Sequence, residues 1–579
     1  MGISAPGQPP AARPARWPHP AGALLLCALA ALGGCSGDDS NPFSAFANLS
    51  SSASVQDYSL AATINGLISS GLVLTVNAQA VSVRPGMSTA VLASSLPAGA
   101  GYSVTVQAQP SGETCAVSGG TGTIQSADVT SVAVSCTSKS YTVGGAITGL
   151  TAPGLVLLDN GGDALSPSAD AAQFTMPTAV AYGASYAISV QTAPAGLVCS
   201  VSNGSATMGA ADVTGITVGC VPNFTLLYSF AGGAGDGVNP YHTLIQASDG
   251  KFYGTTFTGG AHNGGIIYEV SPNGAESLFY SFTATPFAVL IQGSDGNLYG
   301  TTAGGGTYGR GTVFSVTPSG TETTLFSFPR GSSNPYTGVI EGRDGNFYGT
   351  TGAGSTTDQG TVFELTPAGT ETILHTFPKT GSDGQQPYAG VIEGSDGNFY
   401  GTTYFGGSNG SGTVFEVTPG GVETVLYSFA SGSDAANPYS GVIQGSDGNF
   451  YGATYSGGAH GFGAVYKLTP GGTETVLYSF AGGTTDGANP EAGVIQGSDG
   501  NFYGATYAGG PDGVGTVFEL TPSGTETILH GFAGGSGDGA NPSATLVQAS
   551  DGTLYGSTYA GGADGHGIFY KVALQSAQP

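Results

Sequence analysis

From residue 224 onward, apolar and polar positions alternate in short runs of four to eight residues, each cut off by Gly, Pro or Asp. Such runs read as strands with one face buried. In residues 440–480 the run SGVIQG comes first. Asp447-Gly448 follows, a dipeptide that favours a two-residue hairpin turn because both positions tolerate positive φ. NFYGATY (449–455) returns as a second strand, and a Gly-rich loop (456–463) leads to AVYKLT (464–469). Pro470-Gly471-Gly472 then turns the chain into TETVLYSF (473–480). No window carries helical periodicity with caps. The pattern predicts four antiparallel strands per unit, the content of a propeller blade.

The unit repeats. Its Asp-Gly step stands at Asp249, Asp295, Asp344, Asp396, Asp447, Asp499 and Asp551, at spacings of 46 to 52 residues. The region opens on a fourth strand (224–230) and ends on a third (567–574). The opening strand is therefore expected to complete the last unit, which joins the ends and removes two aggregation-prone sheet edges. The fold expected is all-β: a seven-bladed β-propeller of four-stranded blades, closed by its N-terminal strand. An open solenoid is the alternative, but it calls for atypical capping repeats.

The unit SDGNFYGTTYxGG…GTVFxLTPxGTETxLYSF resembles the GloVer tandem repeat of bacterial "choice-of-anchor" surface proteins. The likeness covers roughly 224–574, with a more distant one to the propeller repeats of two-component sensors. It implies a propeller carried on varied envelope anchors, and it brings no catalytic residues with it.

Upstream, residues 1–35 read as an export leader. Arg13 and Arg16 precede an apolar stretch (21–31) too short to span a membrane. The leader ends in Leu32-Gly33-Gly34-Cys35, a lipobox pattern that predicts acylation of Cys35; Ser36 after the Cys fits sorting to an outer membrane. The membrane is then a partner through the lipid anchor. An ordinary secretory signal with an incidental Cys is the alternative. Residues 36–56, polar and Ser-rich, read as a flexible tether. Two related β-patterned stretches follow, 57–137 and 138–222, expected to be small β-sandwich modules of broadly immunoglobulin-like type ahead of the propeller at 223–579. Each holds two cysteines 21 apart, Cys115 with Cys136 and Cys199 with Cys220. In an exported chain these predict one disulfide per module. No His lies near to complete a zinc site instead.

Composition narrows the function classes. Net charge is −26, with eleven Lys and Arg in 579 residues. Such a chain has no footprint for nucleic acid. The sequence contains no P-loop, HExxH, dinucleotide fingerprint or nucleophile elbow, and no catalytic residue is assigned.

The candidate chemistry lies where the repeats differ. Just before each first strand stand Tyr241, Phe287, Tyr336, Tyr388, Tyr439, Glu491 and Ser543. Aromatic rings around a channel mouth suit stacking on sugars or other flat faces. The alternative is that each ring packs on its preceding Pro and plugs the channel. Asp236, Asp383, Asp434, Asp486 and Asp538 occupy the loops before these positions. Calcium is a conceivable cofactor there, but Asx turns explain the residues without an ion. His375 and His530 replace the Tyr of LYSF; His262, His460 and His566 lie in loops between second and third strands. Two functions follow: a cell-surface binding or scaffold protein whose ligand, glycan or protein, the sequence does not name, or an envelope enzyme acting on polysaccharide through the propeller funnel.

Overall fold

The structure, a computed structural model, describes residues 56–286, 289–329, 332–333, 335–354 and 357–575. The leader, Cys35, most of the tether and Phe287 lie outside the described residues. Met1–Asp57 and Tyr58–Pro579 are separate compact units; of the first, only residues 56 and 57 are described. Among the described residues every regular element is a β-strand, and no helix is long and apolar enough to cross a membrane.

The alternation in residues 57–138 folds into two four-stranded sheets around one core. Leu60, Ala62 and Ile64 of Asp57–Asn65 face Leu72, Leu74 and Val76 of Leu72–Val76 in that core. Asp57–Asn65 runs parallel to Val129–Ser138. Residues 143–222 repeat the plan, with Val143–Thr148 parallel to Val213–Pro222 and a core that includes Leu155, Leu157, Ile216 and Val218. Both expected disulfides are present. Each joins directly opposed residues of neighbouring antiparallel strands. The bridges thus staple strands within a sheet, which departs from the inter-sheet bridge of an immunoglobulin domain.

From 224 to 572 the chain is of propeller type: its described residues form six four-stranded antiparallel sheets and one to which a fifth strand, Gly237–Pro240, adds, beside short two-stranded pairings. In the repeat at 440–480 the strands are Ile443–Gln444, Phe450–Thr454, Ala464–Leu468 and Glu474–Ser479. The second strand is wholly buried, because neighbouring sheets cover both of its faces. The Phe-Tyr pair in the motif exploits this. Phe450 points back to Tyr400 of the preceding sheet, ring centroids 4.3 Å apart, and Tyr451 points forward to Phe502, also at 4.3 Å. The same stack joins the last sheet to the first, Tyr555 on Phe252 at 4.2 Å. Each such pair adds about 0.5–1.5 kcal/mol beyond the area it buries. Phe224–Ser229 pairs with Ile568–Val572, as the offset of the repeat predicts.

Two details differ from expectation. The Asp-Gly turn has three residues, not two. In residues 293–297, Gly296 N–H donates to the Gly293 carbonyl, Gly293 N–H donates to the Asn297 carbonyl, and Gly296 takes φ +85° while Asp295 does not enter that region. This is a type I turn closed by a left-handed glycine. The Asp295 carboxylate braces this turn by accepting Asn297 N–H at 3.0 Å and Tyr299 Oη–H at 2.8 Å. The Gly-rich loop is also more ordered than predicted: Ser456–Gly457 pairs with Ala435–Ala436 of the loop entering the first strand.

Candidate functional site

The loops entering the first strands bring Tyr241, Tyr336, Tyr388, Tyr439, Glu491 and Ser543 to one cavity of about 430 Å³. These residues come from six sheets; the seventh candidate, Phe287, is outside the described residues. The rings pack on one another: Tyr336 meets Tyr388 at 5.6 Å and Tyr388 meets Tyr439 at 5.6 Å. Tyr336 leans over Gly352, where a Cβ would stand 2.2 Å from its ring. Tyr241 Oη lies 3.1 Å from Tyr439 Oη and donates to Glu491 Oε2 at 3.3 Å. Ser543 Oγ donates to the Tyr241 carbonyl at 3.1 Å. The prolines, by contrast, serve the sheets. Pro438 packs against the α-carbon of Gly412 and Pro490 against that of Gly463, each in the preceding repeat.

Sequence reasoning missed a second tier of rings, Tyr404, Tyr455, Tyr507 and Tyr559, each at the end of a second strand. Tyr404 contacts Tyr388 at 5.3 Å, and Tyr559 contacts Tyr241 at 5.9 Å. Tyr507, Tyr559, Phe257, Tyr241 and Glu491 line an adjoining cavity of about 330 Å³. The Tyr that follows FYGTT, FYGAT or LYGST in these four repeats was the available signal. His242 was missed as well. It lines the larger cavity with its Nε2 buried, and burial pushes the imidazole down to about 3, so it is neutral at physiological pH. Glu491 is pushed up by burial, partly offset by the Tyr241 hydroxyl. Among the described residues lining both cavities, Glu491 is the only carboxylate, and no Lys or Arg is present.

The loop aspartates sit elsewhere, at the outer junction between successive sheets, and they are not Asx turns. Asp236 Oδ2 accepts Tyr228 Oη–H at 2.9 Å and Ala231 N–H at 2.6 Å, and its Oδ1 accepts Gly237 N–H. Asp434 and Asp486 repeat the arrangement with Tyr427 and Tyr478. Across each junction stands the first residue of the next fourth strand: Glu276, Glu474 and Glu526. Burial, with the neighbouring Asp charge added, pushes these carboxyls up to about 7, and their Oε1 atoms have no hydrogen-bond partner. Asp486 is thus held at its junction and does not join Glu491 at the mouth. His375 and His530 occupy the Tyr position of their junctions, bonded to Asp383 and Asp538. His262 and His460 are exposed, and His566 is half-buried.

Sheets of this order and a mouth built from their entry loops define a repeat protein of the propeller class. The Gloeobacter/Verrucomicrobia repeat matches residues 189–394 and 388–578. The chain belongs to that family, in agreement with the resemblance its repeat unit carries. No curated protein matches the chain. Among solved structures, it is similar to virginiamycin B lyase from Staphylococcus aureus, with 17% identity, TM-score 0.43, and coverage of 61% of this chain and 100% of that one. An extracellular domain assigned to a one-component system of B. thetaiotaomicron has 10% identity and TM-score 0.38, covering 60% of this chain and 39% of that one. The WD40 β-propeller domain of Doa1 has 11% identity and TM-score 0.40, covering 60% of this chain and 96% of that one. Likenesses this distant carry no statement about activity.

Proposed function

We propose that this chain is an exported, lipid-anchored binding protein of the bacterial envelope whose tyrosine-lined mouth takes a hydroxyl-rich, uncharged ligand of the glycan class. In this reading Cys35 is acylated and anchors the chain to the outer membrane. Residues 36–56 tether it, 57–137 and 138–222 are sandwich spacers, and 223–579 form a closed seven-bladed propeller. Closure is supported by the pairing of Phe224–Ser229 with Ile568–Val572 and by the Tyr555–Phe252 stack.

The observation that carries the binding reading is the wall of Tyr336, Tyr388 and Tyr439 running to the Tyr241–Glu491 hydrogen bond. Ring faces stack on the apolar faces of sugar rings, while phenol hydroxyls and a carboxylate exchange hydrogen bonds with sugar hydroxyls. The cavity volume falls within the roughly 300–1,000 Å³ of small-molecule sites. Hydrolysis of a polysaccharide is less well supported, because it calls for a second carboxyl beside Glu491 and the described lining has none.

The test is a glycan array and thermal shift on the full chain carrying Cys35→Ser, beside a variant that adds Tyr336→Ala, Tyr388→Ala and Tyr439→Ala. Binding lost in the variant, with an unchanged circular dichroism spectrum, is the expected result. Binding indifferent to the rings, or no glycan bound at all, overturns the reading. Release of reducing ends that stops with Glu491→Gln replaces binding with catalysis.

A further inference from the structure

One outer junction is chemically unlike its siblings. Where Tyr228, Tyr427 and Tyr478 donate a hydroxyl to their Asp, the junction between the third and fourth repeats has His375, whose Nε2 lies 3.0 Å from Asp383 Oδ2. The second donor is gone too. Ala231, Ala430, Ala481 and Ala533 each give a backbone N–H to the junction aspartate, but the matching residue here is Pro378, which has no N–H. Asp383 Oδ2 has therefore exchanged two donors for one imidazole nitrogen. Facing it, Glu423 Oε1 is buried without a hydrogen-bond partner. One ligand atom from each of His375, Asp383 and Glu423 lies within 4.8 Å of the others, the one such group of three among the described residues.

We propose that His375, Asp383 and Glu423 bind a divalent first-row transition-metal ion, Zn²⁺ by ligand chemistry, as a staple between two neighbouring sheets. Zn²⁺ accepts imidazole nitrogen and carboxylate oxygen in a four-coordinate shell, so the three side chains would supply three ligands and water the fourth. Ca²⁺, which prefers six to eight oxygens, is a poor match to a set with nitrogen and so few oxygens. The His530 junction shows what the third ligand contributes. There the Glu position is Phe224, stacked on the His530 ring at 3.7 Å, so His530 and Asp538 lack a third donor. Glu276, Glu474 and Glu526 have the carboxylates without the imidazole.

The test uses the full chain with Cys35→Ser, stripped with EDTA and titrated with ZnCl₂ by calorimetry, with CoCl₂ as a spectroscopic probe and CaCl₂ as a control. One equivalent of Zn²⁺, a rise in Tm, and the visible absorption of low-coordinate Co²⁺ are expected. His375→Tyr recreates the sibling junctions, so it is expected to fold; it loses the equivalent, the Tm rise and the Co²⁺ bands. Glu423→Gln is expected to weaken binding with the His–Asp contact intact. The proposal is overturned if His375→Tyr retains the Zn²⁺ equivalent, if folded parent protein takes up none, or if Ca²⁺ produces the same Tm rise. None of these readouts involves the tyrosine mouth, so they stand apart from any result on glycan binding.

Discussion

The two regions of the described chain hold themselves together by different means. In residues 57–222 each pair of sheets closes on its own largely aliphatic core, and a disulfide bolts two adjacent strands. From 224 onward no cysteine remains, and each core cluster is shared between successive sheets, filled by rings such as Tyr400, Phe429, Phe450 and Tyr466. A small module has too little surface to bury and gains from a covalent constraint on its unfolded chain. A repeat has no complete core of its own and obtains one from its neighbours. The same period-two alternation therefore serves two economies of stability.

The sharpest way to break the contrast is Phe450→Ala. This ring is 1% exposed and fills the seam between two sheets, so its loss is expected to cost about 3–5 kcal/mol. Calorimetry should show the main transition of the repeats falling while that of the stapled modules stays. Next comes Cys115→Ser with Cys136→Ser, expected to remove about 3 kcal/mol from the first module alone. Dithiothreitol should act the same way and leave the repeat transition in place; an equal drop in both transitions would refute independent stapling.

Acidity is expected to separate the regions as well. Glu276, Glu474 and Glu526, pushed up to about 7 beside Asp236, Asp434 and Asp486, bind protons more tightly folded than unfolded. Their contribution is complete below about pH 4.3 and is lost as pH rises through 7, so the repeats should melt higher at pH 5 than at pH 8. A lower limit comes from the turn aspartates. Burial would raise Asp344 and Asp396, but the Tyr348 and Tyr400 hydroxyls and the Asn346 and Asn398 N–H groups outweigh it and hold both below the ordinary range. Their contribution is present above about pH 3.9 and fades on further acidification. The smallest effect expected is a gain. Tyr466 Oη is buried without a hydrogen-bond partner, and equivalent positions hold Phe415 and Phe518. Tyr466→Phe should stabilise the repeats by about 1 kcal/mol, read as a higher midpoint in guanidinium.

What could be read from the chain was whatever local pattern and repetition determine. The third and fourth strands, the cysteine pairs and the opening strand that completes the final sheet depend on spacing, and spacing is printed in the sequence. The hydrogen bond from Tyr228 to Asp236 was not legible, since it crosses from the end of a strand to a loop whose path depends on the next sheet. The turn was misjudged for a related reason. Asp-Gly alone favours a two-residue loop, whereas in the structure Asp295 accepts Asn297 N–H and Asp551 accepts Thr553 N–H across a longer one. At the mouth, the entry-loop residues were legible because they vary between repeats. Tyr404, Tyr455, Tyr507 and Tyr559 were not, because they recur within the motif and so looked structural.

The pairing of Phe224 with Val572 also bears on how the protein is made. The strand that completes the final sheet leaves the ribosome before every repeat, and its partner arrives last. The loop to be closed is almost the whole array, so the entropic cost of closing it is offset only once the last repeat has been made. A chain that stops early, or is clipped within the last repeat, keeps Phe224–Ser229 as an unpaired edge. Pairing of Phe224–Ser229 with Ile568–Val572 is therefore expected to slow proteolysis at this edge, and the first strand reports whether the last repeat is in place.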